Sequence, residues 1–114
     1  MQLFYDEDGD VLDVTFKDDA RTVAEAGYEL RQGMVLHVTA DMSPVHLTIV
    51  SFLPLSQRPV VHFDRLKKQS AKIRKQLLQL IASPPVSAFL RIDPNTYYGQ
   101  VIGHPVLEAF AKAA

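Results

Sequence analysis

Three groups of side chains in this 114-residue chain have the types that binding or catalysis would use. The first is the acidic loop Asp6-Glu7-Asp8-Gly9-Asp10. Alternate carboxylates beside a glycine resemble a calcium loop superficially. Calcium takes about six to eight oxygens, usually from a loop of about 12 residues that ends in a bidentate Glu. Here the glycine falls at the wrong place and no terminal Glu follows. Asp and Gly are also the residues a tight turn requires on backbone grounds. The loop is therefore expected to be a hairpin turn, with Asp6, Asp8 and Asp10 kept as a weak cation-binding alternative.

The second group is the four histidines, His37, His46, His62 and His104. None stands in an HxH or HExxH arrangement. Counting outward from a turn at 41–44 pairs His37 with Thr48 and His46 with Thr39, so both imidazoles fall diagonally on one sheet face with threonines. A polar cross-strand cluster is the expected meaning. Ser43, Ser51 and Ser56 lack an elbow or triad context, so no catalytic residue is assigned.

The third group is cationic. At about 100° per residue, Leu66, Ile73, Leu77, Leu80 and Ile81 share one stripe of a helix read over 64–82. Arg65, Lys68, Lys72 and Lys75 fall opposite. A row of four cations can meet an acidic protein or phosphates, with salt-dependent affinity. No aromatic residue is interleaved for base stacking, and no helix-turn-helix pattern precedes the helix. A solvated helix face that offsets the acidic first half is the plainer reading.

The elements that would position these groups begin with a hairpin, Gln2–Asp6 and Val11–Phe16. Val11, Asp13 and Thr15 alternate with Leu12, Val14 and Phe16, as in a sheet with one wet face. Thr22–Leu30, Met34–Ala40 and Val45–Phe52 complete a β-meander of four to five antiparallel strands. Pro54 and Pro59 make 53–63 a crossing segment. Asp64 is placed as N-cap of the helix, and Ser83-Pro84-Pro85 stops it. Ser87–Ile92 and Tyr97–Ile102 form a second hairpin, and Pro105 opens a short helix over 106–113. The fold class expected is α+β, with the amphipathic helix on the dry face of the sheet.

The length suits a single domain, 1–114, with about two-thirds of its unfolded surface buried. The absence of cysteine excludes disulfides, thiolate nucleophiles and Cys-ligated metals. No apolar run approaches the roughly 20 residues of a membrane span. The opening residues lack the pattern of a secretory leader, so a cytoplasmic location is expected. Net charge is −1, but residues 1–64 hold eleven acids and four bases, and the remainder two acids and eight bases. Such halves attract each other within a chain or between subunits.

Residues 1–53 carry an ordered set of elements: Tyr5-Asp6, Asp10-Val11-Leu12-Asp13-Val14, Glu25, Gly33-Met34-Val35-Leu36, Asp41 and Leu47-Thr48-Ile49-Val50. In order and spacing they resemble the bacterial family known as domain of unknown function 2283. His46-Leu47-Thr48-Ile49 departs from that family's Gly-Ile-Glu-Ile, so any role of its acid does not transfer. The resemblance implies a small β-rich domain without an assigned activity, and an antitoxin-like role as one alternative.

These observations lead to a non-catalytic interaction module, without cofactor or metal, that forms a homodimer. The first alternative is an antitoxin-like or regulatory protein that binds an acidic protein or nucleic acid through Arg65, Lys68, Lys72 and Lys75. The second is a weak metal-binding or enzymatic protein built on the acidic loop or the His37/His46 face.

Overall fold

Asp8 and Gly9 turn the chain between β1 (Gln2–Asp6) and β2 (Val11–Thr15), which pair from Gln2–Thr15 to Asp6–Val11. The Asp6 carboxylate accepts the Asp8 N–H at 3.1 Å, a local bond that favours the turn. Asp10 closes it at φ 52°, a left-handed conformation that Asp tolerates better than most residues. A computed structural model describes residues 1–17 and 23–103 of the chain. His104 and the helix expected over 106–113 lie outside the described residues, as does the expected start of the third strand at Thr22.

Three further strands come next: β3 (Ala26–Arg31), β4 (Met34–Val38) and β5 (Pro44–Val50). All five make one antiparallel sheet in the order β1-β2-β5-β4-β3. Strand β5 thus lies between β2 and β4, where a sequential meander would place β3 beside β2. Local alternation identifies each strand and its faces, but the choice of neighbour is made by long-range pairing, here Leu12 with Ile49 and Val14 with Leu47.

Segment 53–63 is not simply a crossing strand. Phe52–Gln57 is a helical turn and a half, α1. Pro54 fits it because the first N–H groups of a helix have no intrahelical partner to lose. Phe52 and Leu55 of α1 are buried. A short strand, β6 (Val61–His62), then joins β7 (Leu90–Ile92) and β8 (Tyr98–Val101) in a second sheet, ordered β6-β8-β7. The expected second hairpin is therefore present, shorter by a few residues, and gains a third strand.

The helix read over 64–82 is divided. A 3-10 turn at Leu66–Lys68 is followed by extended Gln69, then by α2 (Ala71–Ile81). Ser70, not Asp64, caps α2: its hydroxyl accepts the Ile73 N–H at 3.3 Å. No helix among the described residues is long and apolar enough to cross a membrane.

The core is continuous between the two layers. Leu12, Val14, Leu36, Leu47 and Ile49 from the large sheet join one buried cluster with Phe52, Phe63, Leu66, Leu77, Ile81 and Leu90. Edge-on aromatic pairs tie the layers together: Tyr5 with Phe52 at 6.1 Å and Phe16 with Phe89 at 6.0 Å. The fold is α+β, as expected, but α2 is not laid directly along the large sheet. Its backbone neighbours are β7 and the 3-10 turn at Val86–Ala88, while α1 lies against β8 and the Leu66–Lys68 turn against β3. The dry face is thus covered by a composite layer.

Candidate functional site

The second face of the large sheet carries the histidine cluster. Alternation directs Asp13 and Thr15 of β2, His46 and Thr48 of β5, and Val35 and His37 of β4 to the face opposite the core. Pairing places them in two rows: Thr15–His46–His37 and Asp13–Thr48–Val35. His37 and His46 are directly opposite, not diagonal, with ring centroids 6.0 Å apart and edge-on. The expected register fails because Thr39–Ser43 forms a self-contained connection. Thr39 N–H donates to the Ser43 carbonyl at 2.9 Å, Ser43 N–H donates to the Thr39 hydroxyl at 3.0 Å, and the ladder shifts between His37 and Val38. Displacement by two residues preserves the face, so the cluster itself is as expected.

Asp13 organises it. One carboxylate oxygen accepts the Thr48 hydroxyl at 2.9 Å and lies 3.1 Å from His46 Nε2. The other ring nitrogen of His46, Nδ1, lies 3.2 Å from the Thr15 hydroxyl. Asp13 and His46 are each about one-third exposed. Gly27 of β3 makes room for His37: a Cβ there would stand 3.0 Å from the imidazole. Asp13 is absent from the expected cluster. Its signal is a carboxylate in the middle of the wet face of a strand, but its histidine lies 33 residues away.

Carboxylate, imidazole and hydroxyl in line share the chemistry of a nucleophile relay. Such a relay also needs donors aimed at the oxyanion that develops. Thr15 lies on a strand paired on both sides, whose backbone N–H groups run within the sheet while the hydroxyl projects out of it. The arrangement is suited to holding a polar patch rigid.

The acidic loop is occupied with its own structure. Asp10 accepts the Tyr5 hydroxyl at 2.7 Å and the Leu53 N–H at 3.1 Å, and its carbonyl accepts the Phe52 N–H at 3.2 Å. Burial, aided by Asp10, pushes the Tyr5 phenol up to about 12. Asp41, whose carboxylate accepts the Thr39 hydroxyl, is held below the usual range by that bond. Among the described residues, no three His, Asp or Glu side chains are grouped to hold a metal ion.

The four cations do not line one helical face. Arg65 precedes the 3-10 turn, gives its N–H to the Leu30 carbonyl at 3.2 Å and pairs with Glu29 at 3.4 Å. Lys68 ends the turn, and only Lys72 and Lys75 belong to α2. The break at Gln69-Ser70 separates these groups. Lys68, Lys72 and Lys75 are exposed, and α2 contains no acidic residue.

A further surface feature is β1, an edge strand. Phe4 is 66% exposed and Leu3 39% exposed, and Phe4 lies opposite Asp13 at the rim of the histidine face. Comparison with known protein families, with curated proteins and with solved structures finds no match.

Proposed function

We propose that this protein is a non-catalytic interaction module of the cytoplasm, and that a second copy of the chain docks along β1. The observation that carries this reading is Phe4, two-thirds exposed on an edge strand whose one charged side chain, Asp6, stands at its end. Natural sheet edges are usually protected by charges, proline or a covering element. An antiparallel strand is complementary to itself about a two-fold axis, so β1 meeting its copy extends both sheets and brings the Phe4 side chains together. The rigid histidine patch, continuous with that rim, would flank the contact.

Sedimentation velocity over a concentration series tests this. The wild-type chain is expected to sediment as a dimer, and Phe4→Lys as a monomer with an unchanged circular dichroism spectrum. A wild-type monomer at several hundred micromolar overturns the reading.

Exposed Lys68, Lys72 and Lys75 support a second reading, the antitoxin-like or regulatory role in which these cations and Arg65 meet an acidic protein or nucleic acid. Binding of that kind weakens steeply with salt and is lost when the four become Gln. Retained binding in that variant removes the basic surface from consideration.

A further inference from the structure

The hairpin turn between β3 and β4 and the start of α1 enclose a cleft of about 410 Å³, within the size range of small-ligand sites. Two arginines from different elements line it: Arg31 at the end of β3 and Arg58 just after α1. No carboxylate lines it. Among the described residues, neither arginine forms an ion pair. Arg31 Nε is withdrawn from water and has no hydrogen-bond partner. That nitrogen is closed to a ligand oxygen as it is to water, which leaves the terminal guanidinium nitrogens of Arg31 as the donors that can serve the cleft.

Two left-handed backbone positions border the cleft. Gly33 turns the chain at φ 80°, and a Cβ there would press within 3.1 Å of Val50. Ser51 precedes α1 in a left-handed conformation, and its hydroxyl does not cap the helix. Thus two guanidinium groups and a hydroxyl border the same space, whose apolar walls are Val50 and Pro54.

We propose that this cleft binds a small organic phosphate monoester. The phosphate head would accept from Arg31, Arg58 and Ser51, and its apolar body would lie on Val50 and Pro54. A guanidinium fork matches both carboxylate and phosphate geometry. Two separate forks and a hydroxyl favour the head with three terminal oxygens and the greater charge. None of the residues that line the cleft belongs to β1, so the site stands or falls independently of self-association.

The test is a titration of the full chain with phenyl phosphate in low-chloride buffer, followed through the Nε–H signals of the arginines by ¹⁵N–¹H NMR. The expected result is a saturable shift of the Arg31 signal with Kd below about 1 mM. Arg58, which is exposed, becomes Gln without loss of fold, checked by an unchanged melting temperature. Arg58→Gln is expected to weaken binding roughly 10-fold, and Arg31→Lys at least as much, because Lys has no planar fork. Benzoate is expected to bind roughly 10-fold more weakly than phenyl phosphate. No saturation by about 10 mM phenyl phosphate, or equal affinity in Arg58→Gln, overturns the site. Benzoate binding as tightly as phenyl phosphate overturns the phosphate assignment.

Discussion

Asp10 holds the first hairpin to α1 through a single carboxylate, which accepts from Tyr5 and from the Leu53 N–H. Removing it leaves two donors without their acceptor at a partly buried site. Asp10→Ala is expected to lower stability by about 2 kcal/mol in urea unfolding. Asp10→Asn should cost about half as much, because Asn keeps an acceptor oxygen and tolerates the left-handed backbone. Tyr5 reports its burial at this site, and with it the bond to Asp10, through pH. Folding raises its pKa from about 10 to about 12, so the folded chain holds the phenolic proton more tightly. The resulting stabilisation is complete below about pH 10 and is lost as pH rises through about 12. Urea midpoints measured across that window should fall more steeply for the wild type than for Tyr5→Phe. The turn role of Asp8 and Gly9 is legible in the sequence, since turn chemistry is local. The partnership of Asp10 with Leu53, 43 residues away, and of Asp13 with His46 is not, because nothing local encodes which strand ends meet.

Strands and helices show the same division between local and distant causes. Period-two alternation in β2 and β4 identifies Leu12, Val14, Met34, Leu36 and Val38 as one side, and that side is buried. The helical stripe places Leu77 and Ile81 in the core, with Ile73 and Leu80 packed against it. Helix α2 starts at Ala71, later than its pattern suggests, because both Asp64 and Ser70 are good caps and the chain uses the second. Ser70→Ala is therefore expected to cost about 1 kcal/mol, and Asp64→Ala a few tenths at most, in thermal unfolding. The β7–β8 hairpin makes a sharper demand. A Cβ on Gly99 would stand 1.8 Å from the Arg91 carbonyl oxygen, an impossible contact with backbone. Gly99→Ala must therefore separate β7 from β8, and a loss of about 3 kcal/mol or more is expected from denaturation curves. Sequence can suggest a close approach at that glycine but not identify the carbonyl that makes it.

Residues 1–53 carry the large sheet, yet that sheet cannot be dry without the second half of the chain. Its inner side chains Leu12, Val14, Leu36, Leu47 and Ile49 are wholly buried in the same cluster as Phe63, Leu66, Leu77 and Leu90. Charge contributes little to holding the halves together. Among the described residues only Arg65 and Glu29 pair between them, at 3.4 Å and nearly half exposed, where an ion pair is worth about 1 kcal/mol or less. The opposite charges of the two halves are thus mostly surface, and apolar burial joins the layers. A fragment of residues 1–57 would expose one entire apolar sheet face and is expected to lack the native near-ultraviolet spectrum and to aggregate. The full chain should instead unfold in one step, with tyrosine fluorescence (Tyr5 and Tyr28 in the first half, Tyr97 and Tyr98 in the second) tracking the far-ultraviolet signal. A fragment that folds alone, or two separated transitions, would mean that the shared core is an interface between independent units. A domain boundary would then fall within the crossing segment 53–63, and the basic second half would have to be sought as a separate binding unit.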